Sequence, residues 1–496
     1  MIQINQESLH EAFQNHLEIE NNNRILFSGP FGTGKSTMLE KFFTEKNETY
    51  FVCKLTPVNY SIASNEDVFE LIKYDLLSYL LANFYEDINL EKEDFSLLLR
   101  SQMFIMEKVK FMPLLYAILG MSEKIGKPAI KLLEAIEKVV GDFKTFSKEI
   151  KIDEEEDINK FIHSIRNTTG NIYEMDSISR LINSLLERLK TNRGEAKSVL
   201  IIDDLDRLDP DHIFRLFNIF SSQEINESGA NKFGFDKVVF VCDVENIRKI
   251  FHHKYGQEVD FLGYIDKFYS LHPFEFDNRA LIKQSISEFI SKIKFSENLK
   301  SYDFKVNERF ESAVKALFIS LLDARVLNYR MLHQDIDLTV PMHHYARSNN
   351  LNKTSHSLPL IVMFYLLKNI YATFEILYQK ILFLSAIYDR ETFSTDTHPQ
   401  YYLIGEGVNE NFISYCLDFI IKDPSPRDSY NKDFTEYCDL YNCYIHFEII
   451  RGKDSKLKNF IKATISEDLN SEIVILNPYQ LLLDSFEICR KKRYLK

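Results

Sequence analysis

An apolar run, Ile25-Leu26-Phe27, leads into Gly29-Pro30-Phe31-Gly32-Thr33-Gly34-Lys35-Ser36-Thr37, and then into Met38-Leu39-Glu40-Lys41-Phe42-Phe43, which reads as a helix. Strand, glycine-rich loop and helix in that order turn the pattern Gly-x-x-x-x-Gly-Lys-Ser into a physical statement. The glycines let backbone amides curl around phosphate oxygens, and the first helical turn adds its free N–H groups and dipole. Lys35 is placed to put a point charge on β- and γ-phosphates, and the hydroxyl of Ser36 to ligate Mg²⁺. The stretch Gly29–Thr37 is therefore the expected phosphate-binding segment.

A second motif, SVLIIDDLDRLDP, lies more than 160 residues later. Val199 to Ile202 form an unbroken apolar run, as a central parallel strand requires. The run ends at Asp203-Asp204, where ligand-facing groups emerge from an α/β sheet. Asp203 is the candidate for holding Mg²⁺, directly or through water, and Asp204 for polarising an attacking water. Arg207 is open to three readings: orienting Asp206, bridging a subunit, or balancing nearby charge. Asp209-Pro210 predicts a helix start, so residues 211–221 are expected to be helical.

Other segments complete an alternating pattern. Residues 49–55 read as a second strand, followed by a capping box at Ser64–Asp67 and a helix through Ile72, Leu76, Leu77 and Leu80. KVVFVCD (237–243) reads as a core strand. Its terminal Asp243 either senses the γ-phosphate or caps the next helix. FYSLHPFEF (268–276) supplies another short strand. The N-terminal lead places Leu9, Phe13, Leu17 and Ile19 either in the core or over an adenine, with core packing favoured. The fold expected is α/β, a P-loop NTPase core with four or five parallel strands.

With 496 residues the chain is long enough for roughly two to four domains. Residues 1–83 and 191–278 are assigned to the core. Residues 84–190 form a mostly helical insertion, with helices near Ile130–Val140 and Ile178–Leu189 and an acidic run at 153–157. Residues 279–345 form a helical lid. In that lid Arg325 is expected near a helix start, from where it touches the phosphates or makes a surface ion pair. Residues 346–496 form an accessory, mixed but mainly helical domain, with strands at 443–450 and 472–476 and a loop at 423–428.

The formal charge of -13 argues against a uniformly basic nucleic-acid surface. Six scattered cysteines are not a secreted disulfide framework, and the polar N-terminus lacks signal-peptide character, so a reducing cytosol is expected. Cys438, Cys443 and His446 lack an evident fourth ligand and match no zinc pattern. The apolar stretch 111–121 is too short to span a bilayer. Residues 358–388 are interrupted by Lys368, Glu375 and Lys380 and read as a buried helix pair. The terminal CRKKRYLK reads as a frayed basic end, with contact to nucleic acid or an acidic partner as the alternative.

The two motifs together resemble the KAP family of P-loop NTPases, which is similar to AAA+ and STAND ATPases. GPFGTGKST carries the resemblance at the phosphate loop, LIIDDLDRLDP at the acid strand, VVFVCDVENIRKI at the following strand and DARVLNYRML in the later helical subdomain. It spans about residues 20–335. The resemblance implies ATP and Mg²⁺ as ligands and Arg325 at a sensor position. It also implies an oligomeric switch or motor acting with a separate effector, in many members against phage, here in the cytoplasmic setting that the cysteines and the N-terminus indicate. Membrane attachment through the insertion is not carried over. An arginine from a neighbouring subunit, Arg207 or Arg248, is a further candidate. Two other functions fit: a nucleotide-gated scaffold with little turnover, and a nucleic-acid-processing ATPase. No Asn-Lys-x-Asp guanine motif follows the third strand.

Overall fold

The computed structural model describes residues 6–57, 177–194, 196–221, 233–300, 308–341, 358–388 and 477–496, with shorter pieces within 72–87, 344–354, 412–416 and 434–466. The expectations for Ser64–Asp67, 111–121, 130–140, 153–157, 423–428 and 472–476, and for most of the insertion, lie outside them. The chain divides into two compact units, one formed by residues 6–277 and the other by 1–5 with 278–496.

The first unit begins with helix α1 (Glu7–Glu18), strand β1 (Arg24–Ser28), α2 (Lys35–Glu45) and β2 (Tyr50–Leu55). Between β2 and the next strand the described residues are helical, in a segment containing Ile72, Leu76, Leu77 and Leu80 and in α3 (Ser177–Asn192). Then come β3 (Lys197–Ile202), α4 (Pro210–Ser221), β4 (Lys237–Cys242), α5 (Val244–Tyr255), a short α6 (Phe261–Ile265) and a two-residue β5 (Phe274–Glu275). The five strands form one parallel sheet in the order β2-β3-β4-β1-β5. Because β4 lies between β1 and β3, the loops after β1 and after β3 flank its C-terminal end.

The strands read as continuous apolar runs because both faces of the sheet are covered. Successive side chains point to opposite faces, and the two cores divide accordingly. Ile25, Phe27, Val199, Ile201, Val239 and Val241 pack with α1 and α2 on one face. Leu26, Leu200, Ile202, Val238 and Phe240 pack with α3, α4, α5 and α6 on the other.

An aromatic cluster fixes the helix that carries the phosphate loop. Phe13 of α1 lies edge-on to Phe27 of β1 at 5.2 Å and to Phe42 of α2 at 5.0 Å, and Phe274 stacks on Phe27 at 5.2 Å. Such pairs add about 0.5–1.5 kcal/mol each beyond area burial. Phe13 and Leu17 are fully buried, as core packing predicts, whereas Ile19 is exposed. At the opposite end of the strands, Lys190 of α3 donates to Asp236 and to the Gly234 carbonyl, both at 2.9 Å, and ties α3 to the start of β4.

The second unit has its own core, running from Ile282 to Leu495. It contains α7 (Arg279–Lys292), α8 (Glu308–Asp323), the pair α9 (Pro359–Tyr371) and α10 (Phe374–Ala386), an antiparallel sheet β6 (Phe434–Cys438), β7 (Cys443–Arg451) and β8 (Asn459–Ser466), and α11 (Pro478–Lys491). Residues 358–388 form the expected helix pair, bent by 103°. The α9 helix is apolar all round because it is buried all round, from Leu360 to Leu367 without a break. Among the described residues no single helix is long and apolar enough to cross a membrane.

The basic end is docked where fraying is expected. Leu495 is buried in the core, Lys496 N–H donates to the Tyr365 hydroxyl at 3.3 Å, and Arg490 pairs with Glu375 at 3.2 Å. Tyr494 and Leu495 supply the apolar anchor that a purely basic tail would lack.

Candidate nucleotide site

The C-terminal end of β1 is pinned to those of β4 and β5. Gly29 N–H donates to the Cys242 carbonyl at 3.1 Å, Val244 N–H to Ser28 Oγ at 3.3 Å, and Phe276 N–H to the Ser28 carbonyl at 2.6 Å. This crowding explains Gly29. A Cβ there would sit 3.0 Å from the Phe276 carbonyl oxygen and 3.3 Å from Lys35 Cδ.

The loop then turns through Gly32 (φ 74°) and Gly34 (φ 93°), a region that costs glycine little and other residues more. Thr33 Oγ1 donates to the Pro30 carbonyl at 2.8 Å and closes the turn. Gly34 stands at the N-cap of α2 and offers no side-chain acceptor. The first-turn amides of α2 have no intrahelical acceptor, so they and the helix dipole are directed at the loop. Lys35 opens the helix, is buried, and donates Nζ to the Gly29 and Pro30 carbonyls at 2.6 and 3.1 Å, 5.5 Å from the centroid of the exposed Phe31 ring. Ser36 is half-buried at the second helical position and Thr37 is exposed. A glycine cradle, an uncapped helix start and one ammonium fit a polyphosphate.

Asp203 directly follows β3 and is 3% exposed. Its Oδ1 accepts Asp204 N–H at 2.9 Å and its Oδ2 faces Lys54 Nζ at 2.9 Å. Asp204 adopts a left-handed backbone (φ 56°), tolerated by Asp and Asn better than by other side chains. Its Oδ2 accepts Arg207 Nη1 at 2.8 Å. A sheltered carboxylate beside a more accessible one suits a divalent cation and a polarised water.

Of the readings open for Arg207, the structure pairs it with Asp204 and not with Asp206. Asp206 turns inward instead, is 5% exposed, and accepts Asp243 N–H at 3.0 Å. Burial pushes its carboxyl pKa up, opposed by the Asp243 hydrogen bond and the nearby Lys35 charge. The sequence reading gives Asp206 no place in the site, although one signal was available. Leu205 is apolar amid acids, and the 3-10 turn Leu205–Arg207 that buries it carries Asp206 inward too.

Asp243 caps α5, its Oδ1 accepting the N–H groups of Glu245 at 3.1 Å and Asn246 at 3.3 Å. Of its two readings, the cap is thus formed. Arg248 is gripped by Glu245 through Nε at 2.9 Å and Nη2 at 2.5 Å. Arg325 belongs to the other unit, and its local setting differs from expectation. It follows the end of α8 at φ 58°, its N–H donating to the Leu322 carbonyl at 3.0 Å, so it closes a helix and does not open one. A cation in that place favours the negative end of the helix dipole.

A phosphate loop after β1 and an acid pair after β3, on a five-stranded parallel sheet, define the class of P-loop NTPases. The family description "KAP family P-loop domain" matches residues 15–381, and the chain therefore belongs to the KAP family of P-loop NTPases. The match runs beyond residue 335 into α10. No curated protein matches the chain significantly.

Proposed function

We propose that this chain hydrolyses ATP with Mg²⁺ and uses the turnover as a conformational switch in a multi-protein assembly. The observation that supports it best is that Lys35 after β1 and Asp203, Asp204 and Asp206 after β3 flank the C-terminal end of β4, with Asp206 bonded to Asp243 there and near enough to Lys35 to feel its charge. In this reading the loop amides of Gly29–Thr37 hold the triphosphate, and Lys35 stabilises charge developing on the γ-phosphoryl group. Ser36 and Asp203 would hold Mg²⁺, which neutralises phosphate charge when bound. Asp204 orients and deprotonates the water, with Arg207 fixing its carboxylate. Asp243, at the end of the central strand, reports the phosphate state to α5.

Adenine selectivity rests on the family resemblance and on the absence of a guanine motif. Oligomerisation, a separate effector protein and a role against phage rest on that resemblance too. The test is Asp204→Asn, which keeps a residue tolerant of the left-handed backbone. It should bind ATP like the wild type while phosphate release falls by about 100-fold. Unaltered release would remove Asp204 from the mechanism. The assembly role is tested by comparing oligomer mass with ATPγS and with ADP, and the defence role by plaque counts with wild type and Asp204→Asn.

A further inference from the structure

Both oxygens of the Asp203 carboxylate are engaged by the chain itself, Oδ1 by the Asp204 N–H and Oδ2 by Lys54 Nζ. Lys54 comes from β2, the strand that borders β3. Its register partner is Ile201, two residues before Asp203, so Lys54 and Asp203 lie on the same face of the sheet. That is the face covered by α1 and α2. The pair is asymmetric: the Asp203 side chain is 4% exposed and that of Lys54 is 38% exposed. A sheltered carboxylate is costly to leave unpaired. A lysine ammonium is a single charge on a flexible stem and can withdraw into solvent when a stronger cation arrives.

We propose that Lys54 is a positioning residue of the metal subsite. It holds Asp203 ready as a counter-ion and competes with the divalent cation for Oδ2, so it sets the metal concentration at which nucleotide binding tightens. The proposal rests on reading Gly29–Ser36 as the nucleotide site. It assigns Lys54 no contact with the reacting atoms. Arginine at this position would keep the competing charge and grip the carboxylate with a planar fork, whereas methionine or glutamine would remove the competitor.

The experiment titrates Mn²⁺, read by electron paramagnetic resonance, into the full chain with saturating ATPγS. Wild type, Lys54→Met, Lys54→Gln and Lys54→Arg are compared. ATPγS binding without metal and thermal melting are recorded in parallel. Half-saturating Mn²⁺ should fall by about tenfold in Lys54→Met and Lys54→Gln and stay near or above the wild-type value in Lys54→Arg. Without metal, Lys54→Met should melt below the wild type and recover more of the difference when Mn²⁺ and ATPγS are added. Unchanged or raised half-saturation in both neutral variants, with ATPγS binding intact, overturns the role of Lys54 alone. Failure of the wild type to bind ATPγS brings down the nucleotide site itself.

Discussion

The Asp206 carboxylate accepts the backbone N–H of Asp243 at 3.0 Å, joining the turn after β3 to the end of β4. Asp206→Ala would leave that donor without its acceptor in a buried setting and should cost about 1–3 kcal/mol in urea unfolding. Asp206→Asn keeps an acceptor oxygen and should cost less. Equal losses in both variants would show that the carbonyl-type acceptor is not what matters.

The same group gives a pH signature. Burial raises the folded-state pKa of Asp206 above the ordinary carboxylate value. Its contribution to stability is therefore fully present below the unfolded-state pKa and is lost as pH rises through the folded-state value. The stability curve of Asp206→Asn should lack that falling component, as measured by urea unfolding across pH. A wild-type and a variant curve that run parallel would contradict the assignment.

Gly29→Ala tests the crowding around the phosphate loop. The added methyl meets the Phe276 carbonyl and the Lys35 stem, and overpacking of this kind costs about 1–3 kcal/mol. Relief by shifting Lys35 should also weaken ATPγS binding by about tenfold, since that ammonium would leave its phosphate position. Wild-type binding and wild-type melting together would mean the loop is looser than its contacts indicate.

Arg207 and Asp204 form a pair three residues apart in which the arginine is about half exposed. Such pairs contribute little to stability, at most about 0.5 kcal/mol. Arg207→Ala should therefore leave melting nearly unchanged while kcat falls by about tenfold and KM holds, because Asp204 loses its orientation. A change in KM alone would point to nucleotide contact instead.

Much of the nucleotide unit was legible in the chain because its strands are parallel and buried on both faces. Ile25–Phe27, Val199–Ile202 and Val238–Cys242 had to be uninterrupted apolar runs, and each ends at a polar residue on the ligand side. The glycine loop was legible for a related reason, since Gly29 and Gly34 occupy places that other residues fill only with strain. Partner choice was less visible. Nothing in DDLDR says that Arg207 folds back three residues to Asp204 while Asp206 turns inward, because one 3-10 turn decides both. Lys54 was equally hidden, being linked to Asp203 only through strand pairing across nearly 150 residues. Arg325 shows the boundary problem. The run LLDARVLNY supports either the end of one helix or the start of another, and the left-handed turn at Arg325 selects the former.

The central claim is that Gly29–Thr37 and Asp203–Asp204 form one Mg-ATP hydrolysis site, and Lys35→Ala tests it most directly. Phosphate release from Mg-ATP is measured over a range of protein concentrations, with melting followed in parallel. The wild type should turn over ATP only when Mg²⁺ is present, and Lys35→Ala should lose about 100-fold or more of that rate while remaining folded. Equal phosphate release by the folded variant and the wild type would contradict the account.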